Sequence, residues 1–168
     1  NVTIPVSTAA GTYYVIAKAD ADNSNPESNE DNNTAVSGPV TVTSGIDFVL
    51  SAFTTPGSMQ TGVSTSVPTT ITNQGPGAAT TVIVSYIKFY LSADSTLDGS
   101  DTLLSGSRMI NFSLAGGASS SGNTNVTIPV STAAGTYYVI AKADADNSNP
   151  ESNEDNNTAV SGPVAVTQ

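Results

Sequence analysis

Along this chain apolar residues recur at every second position over short stretches, and they never settle into a helical spacing of three and four. In GTYYVIAKA, residues 135–143, Tyr137, Val139, Ala141 and Ala143 fall on one side of an extended backbone, with Tyr138, Ile140 and Lys142 on the other. The first set is the better core face. In TVIVSYIKFYLS, residues 81–92, Ile83, Ile87, Phe89 and Leu91 alternate with Val84, Tyr86, Lys88 and Tyr90, which predicts that the Phe89 side looks inward. The same alternation, punctuated by Gly, Pro, Ser and Asn, predicts strands at 46–54, 66–73, 81–92, 102–105, 108–114, 124–130, 136–143 and 158–166. Seven or eight such strands with no helix predict an all-β sandwich. Gly135-Thr-Tyr137 at a strand start resembles a tyrosine corner, a structural device rather than a site.

The pattern is also duplicated. Residues 1–43 return at 125–167 with one change, Thr41 becoming Ala165. A period of 124 residues (Asn125 against Asn1) is long enough for each unit to be a domain rather than a turn of a solenoid. The reading is therefore one complete repeat, 44–168, preceded by 1–43, the last three strands of another, with a linker at about 44–45. Those three strands carry an apolar face, Tyr13, Val15, Ala17 and Ala19, that their own segment does not cover. The expectation is a window on a longer tandem array, in which further strands complete the first unit and neighbouring domains meet head to tail. The start at Asn1 fits a mature or excised piece.

Composition removes most chemistry. The chain has no Cys and no His, which excludes disulfides, thiolate or imidazole metal ligands and the usual nucleophile–base pairs. A net charge of −10, with only Lys18, Lys88, Arg108 and Lys142 as cations, leaves no basic stripe for nucleic acid. No apolar run is long enough to span a membrane. Carboxylate pairs invite a glycosidase reading, but there is no Trp and there are few aromatic residues near the acids. The chain reads as a non-enzyme.

KFYLS followed by a turn with spaced Asp, then GTYYVIAKAD running into ESNEDNN, is a pattern similar to the CARDB family, the cell-adhesion-related domain of bacteria and archaea. The resemblance covers 44–168, and its C-terminal part again at 1–43. It implies an Ig-like, Greek-key β-sandwich in tandem on extracellular or cell-surface proteins, in adhesive or spacer roles, with no catalytic residues.

Thirteen of the fourteen carboxylates lie in three clusters, at 19–33, at Asp94, Asp98 and Asp101, and at 143–157, with Asp47 apart. Clustering of this kind points to sites rather than to a solubilising coat. The loop ADADNSNPESNEDNN at 143–157 offers Asp144, Asp146, Glu151, Glu154 and Asn156, hard oxygen donors of the sort Ca²⁺ prefers. In the turn LSADSTLDGSD, Asp94, Thr96, Asp98 and Gly99 occupy EF-hand positions 1, 3, 5 and 6, but Ser105 replaces the closing Glu. In an Ig-like sandwich the strands before the two loops are expected to lie side by side and run the same way, so both loops emerge at one end and Asp94, Asp98 and Asp101 share a Ca²⁺ site with the longer loop. Lys142 is the one cation expected near it. The bland alternative is a solvated acidic turn.

The function expected is a structural repeat of an extracellular filament or adhesin stalk, partnered by neighbouring copies and stabilised by Ca²⁺. Its alternative is a module binding carbohydrate or a surface glycan, for which Tyr86, Tyr90 and Tyr138 are the outward aromatic residues.

Overall fold

The computed structural model describes residues 1–5, 8, 11–42, 45–77, 79–80, 84–110 and 113–168. The chain divides into two compact units, Asn1–Thr43 and Ser44–Gln168. The first holds β1 (Gly11–Lys18) and β2 (Thr34–Val42), an antiparallel hairpin whose loop ends in a 3-10 turn at Glu30–Asn32. The second holds β3 (Phe48–Phe53), β4 (Ser58–Gln60), β5 (Ser64–Asn73), β6 (Ala79–Thr80), β7 (Ser85–Ser92) and β8 (Thr102–Ile110). It continues with β9 (Ser113–Leu114), β10 (Ser119–Thr127), β11 (Gly135–Lys142), β12 (Thr158–Val160) and β13 (Val164–Thr167).

The second unit is the expected all-β, Ig-like sandwich. One sheet runs β3-β5-β10, and the other runs β8-β7-β11, with β12 and β13 each pairing to part of β11 and β4 added in parallel to β13. The sheets join at a corner where Thr127 of β10 pairs with Ser105 of β8. Between them lie Phe48, Val67, Ile71 and Val126 from the first sheet and Ile87, Phe89, Leu91, Val139, Ala141 and Ala143 from the second. The inward faces expected for both long strands are buried, but Ile140, expected on the other face of β11, is fully buried as well, and Ile83 lies outside the described residues. Each such Val, Ile or Phe contributes roughly 1.5–3 kcal/mol by leaving water.

Strand boundaries differ from expectation where polar chemistry replaces apolar alternation. The first half of β10, Ser119–Asn123, carries no apolar residue. It is held on its outer side by hydroxyl pairs, Thr70 with Ser121 at 2.9 Å and Thr72 with Ser119 at 2.7 Å. Its inner positions stay small because the Arg108 guanidinium lies there, donating to Ser120 Oγ at 2.7 Å and to the Thr69 carbonyl at 3.2 Å. Burial lowers the pKa of that guanidinium from its ordinary value. The expected strand 158–166 divides into β12 and β13 around Pro163, which has no N–H for the ladder. Strand 102–105 and the start of 108–114, as far as Ile110, merge into β8 through Gly106, whose φ of +100° makes the bulge; residues 111–112 lie outside the described residues, and Ser113–Leu114 form β9, paired with β6. β4, flanked by Pro56, Gly57 and Gly62, was not expected.

Candidate functional site

The acidic loop 143–157 is built from its own side chains. Asp144 and Asn147 take positive φ values of 40° and 51°, conformations that Asp and Asn tolerate better than most residues. Asp144, fully buried, accepts from the N–H groups of Ser148 at 3.1 Å and Asn149 at 2.8 Å, and from Ser85 Oγ at 2.7 Å. Glu154 accepts from the Glu151 N–H at 2.8 Å, and Asn153 from the Asp155 N–H at 3.1 Å. These short-range bonds explain why the sequence is so rich in Asp, Asn and Ser. Their side chains satisfy backbone donors that no strand pairs.

The loop then grips the entry of the domain. Glu151 accepts a very short hydrogen bond from the Phe48 N–H, and its other oxygen accepts from Asn157 Nδ2 at 2.8 Å. Ser152 N–H donates to the Ile46 carbonyl at 3.0 Å, and Asn156 Nδ2 to Asp47 Oδ1 at 2.9 Å. Desolvation, with the neighbouring charges of Asp144 and Glu154 adding to it, pushes the Glu151 carboxyl up to about 8 against the two hydrogen bonds it accepts. Two amide oxygens of the segment, Asn156 Oδ1 and Asn157 Oδ1, are buried without a hydrogen-bond partner. Asp146 pairs with Lys88 of β7, which raises the Lys88 pKa.

The site expected to combine both acidic stretches is not formed. β7 and β11 are neighbours as anticipated, but they run antiparallel, with Tyr138 opposite Ser92 and Lys142 opposite Lys88. The loop 143–157 therefore leaves β11 beside the start of β7, where Ala145 N–H bonds to the Tyr86 carbonyl at 3.0 Å. Asp94 lies beyond the other end of β7, roughly 25 Å along the strand direction at about 3.3 Å per residue. Asp94, Asp98 and Asp101 instead close the β7–β8 turn. Asp94 accepts from Thr96 N–H at 2.7 Å, Asp98 from Ser100 N–H and Oγ at 2.7 Å each, and Asp101 from Asp98 N–H at 2.9 Å. The Ser100 bonds lower the Asp98 pKa. Among the described residues no group of three or more Asp or Glu is arranged to hold a metal ion. The cation that offsets the loop is Lys88, 58 residues away in sequence from Asp146. Asp47 and Ser85 also belong to the loop's surroundings, and no sequence signal linked them to it; Asn157, the last residue of the loop, was not among the expected ligands.

At the Asp turn a cavity of about 310 Å³ is lined by Leu91, Asp101, Pro129, Thr132 and Tyr137 among others. Tyr137 Oη donates to the Ala133 carbonyl at 3.2 Å, the bond of a tyrosine corner. Tyr86, Tyr90 and Tyr138 are half-buried on the outer face of the second sheet.

A family model for CARDB matches residues 45–161. Among similar solved structures is the CARDB domain of a Pyrococcus furiosus protein, crystallised with di-metal ions, at 19% identity, covering 74% of this chain and 91% of that one, with a TM-score of 0.49. Another is a domain of a Methanosarcina acetivorans protein named for the cell surface, at 22% identity, 73% and 93% coverage and a TM-score of 0.49. A β-glucosidase from Listeria innocua is similar over 16% of its length, at 17% identity, 72% coverage of this chain and a TM-score of 0.43. No curated protein matches the chain.

Proposed function

This chain belongs to the CARDB family, and from that premise we propose that it is a structural repeat of an extracellular or cell-surface array, a module that supplies length and stiffness. In this reading residues 1–43 are the late strands of one repeat and 44–168 form the next, with successive domains following head to tail. The observation that carries it is the duplication itself. Two segments differing only at Thr41 and Ala165 stand in one chain, and in the second of them the shared residues are core. Arrays of near-identical domains serve length, because each repeat makes the same contacts with its neighbours. The acidic loop supports a mechanical role too: it ties β11 to Ile46, Asp47 and Phe48, the residues at which the chain enters the domain.

Calcium belongs to this proposal at one segment only. Glu151, with the unpartnered Asn156 and Asn157 amide oxygens, would hold it. A divalent ion supplies there the positive charge that otherwise only a proton brings to the buried carboxyl. Asp94, Asp98 and Asp101 take no part.

The test is electron microscopy of the native material together with elemental analysis for Ca²⁺. Filaments or stalks with an axial repeat of one domain are expected. Native material consisting of single domains without such a repeat overturns the reading.

A further inference from the structure

We infer that Asn1–Thr43 is an exchangeable strand donor, able to dock on residues 45–124 of a second copy of the chain in place of that copy's own 125–167. This rests on the array reading only for its biological setting.

The hairpin is already shaped for the seat. Asp20 and Asn23 repeat the positive φ values of Asp144 and Asn147, at 41° and 53°. Asp20 accepts from Ser24 and Asn25 N–H, both at 3.0 Å, as Asp144 does from Ser148 and Asn149. Glu27 N–H donates to Glu30, and Val15 N–H to Ser37 Oγ, at the distances of their counterparts Glu151 and Val139. Little ordering remains to be done on docking, so the contact area is not spent on folding the donor.

What the hairpin lacks is what the seat supplies. Val15 and Ile16 are 41% and 65% exposed, whereas Val139 and Ile140 are 0% exposed. Val2 and Ile4 are likewise exposed where Val126 and Ile128 are buried. Among the described residues, the Asp22 and Glu27 carboxylates lack the outward partners of Asp146 and Glu151, which are Lys88 and the Phe48 N–H. A row of apolar side chains beside unmatched carboxylates defines the occupant by its chemistry. It must bring a strand with alternating apolar residues, a lysine opposite Lys18 in register, and a free N–H at its first residue. Residues 45–124 of a copy carry all three in β7 and β3. The single difference is harmless, because Ala165 points its side chain to solvent in β13, where the Thr41 side chain fits equally. Donor and resident segment are thus matched in contacts, the condition for strand exchange between copies.

The test uses the full chain. Val139→Asp places a charge in the core and disables the resident segment, and Val15→Asp disables the donor. Val139→Asp is expected to keep a cooperative thermal transition, with hydrogen-exchange protection gained at 11–18 and lost at 135–142. Val15→Asp alone leaves the transition unmoved. The double variant loses it, and a 43-residue peptide with the sequence of residues 1–43 restores it. Rescue by either route, the intact donor in Val139→Asp or the added peptide, supports the inference. Failure of both overturns it while leaving the array reading intact, since that reading falls only on native material without a domain-length repeat.

Discussion

Replacing Glu151 by Gln probes the buried carboxyl that joins the acidic loop to the start of β3. Glu151 is 5% exposed, and desolvation raises its pKa from an ordinary 4.5 to about 8. Because the folded value lies above the unfolded one, the native state holds more protons between them, and stability falls as pH rises. The contribution is whole below about 4.5 and is withdrawn up to about 8, where the native carboxyl itself ionises. At about 1.4 kcal/mol per pH unit, the loss across that window is on the order of 3 to 5 kcal/mol. Gln keeps the shape and cannot ionise. Its oxygen can accept from Phe48 N–H, and its NH₂ can donate to Asn157 Oδ1, the atom now without a partner, once that amide turns over. Urea denaturation at pH 5, 7 and 9 in a chelator measures the difference, and the other carboxylates cancel because both proteins share them. The variant is expected within about 1 kcal/mol of the parent at pH 5 and more stable by several kcal/mol at pH 9. Parallel profiles, with a constant gap from pH 5 to 9, would refute the linkage of Glu151 burial to stability.

Chelation at pH 8 is expected to lower the melting temperature of the parent and to increase protease cutting within 143–157, with little effect on Glu151→Gln; identical melting curves with and without chelator at matched ionic strength remove calcium from the proposal. Gly106→Ala is expected to destabilise the chain by about 2–4 kcal/mol in the same urea assay, because φ is +100° there and a Cβ would stand 2.1 Å from the Asn125 carbonyl oxygen. Gly99→Ala, with nothing within 4 Å of the added carbon, is the control expected to stay within about 0.5 kcal/mol.

The sequence by itself determined the class of fold and the inward faces of its long strands. Alternation every second residue is a local property, written in each segment whatever surrounds it, and burial of Ile87, Phe89, Val139 and Ala141 follows directly. The duplication was equally legible, as was the Asp- and Asn-rich make-up of a loop that must satisfy its own N–H groups. Strand direction was not written locally. Neighbouring strands show the same alternation whether parallel or antiparallel, and that one choice places Asp94 and Asp144 at opposite ends of β7 rather than around a shared ion. Long-range partners were also decided only in three dimensions. Lys88 for Asp146, Ser85 for Asp144 and Phe48 N–H for Glu151 lie 58 to 103 residues apart in sequence, and nothing in their own segments marks them as partners. Identical letters at 19–33 and 143–157 make the division plain. Both copies fold the loop with the same short-range bonds, but only the copy seated against β3 and β7 buries Asp144 and Glu151, because burial belongs to what surrounds a segment and not to the segment itself.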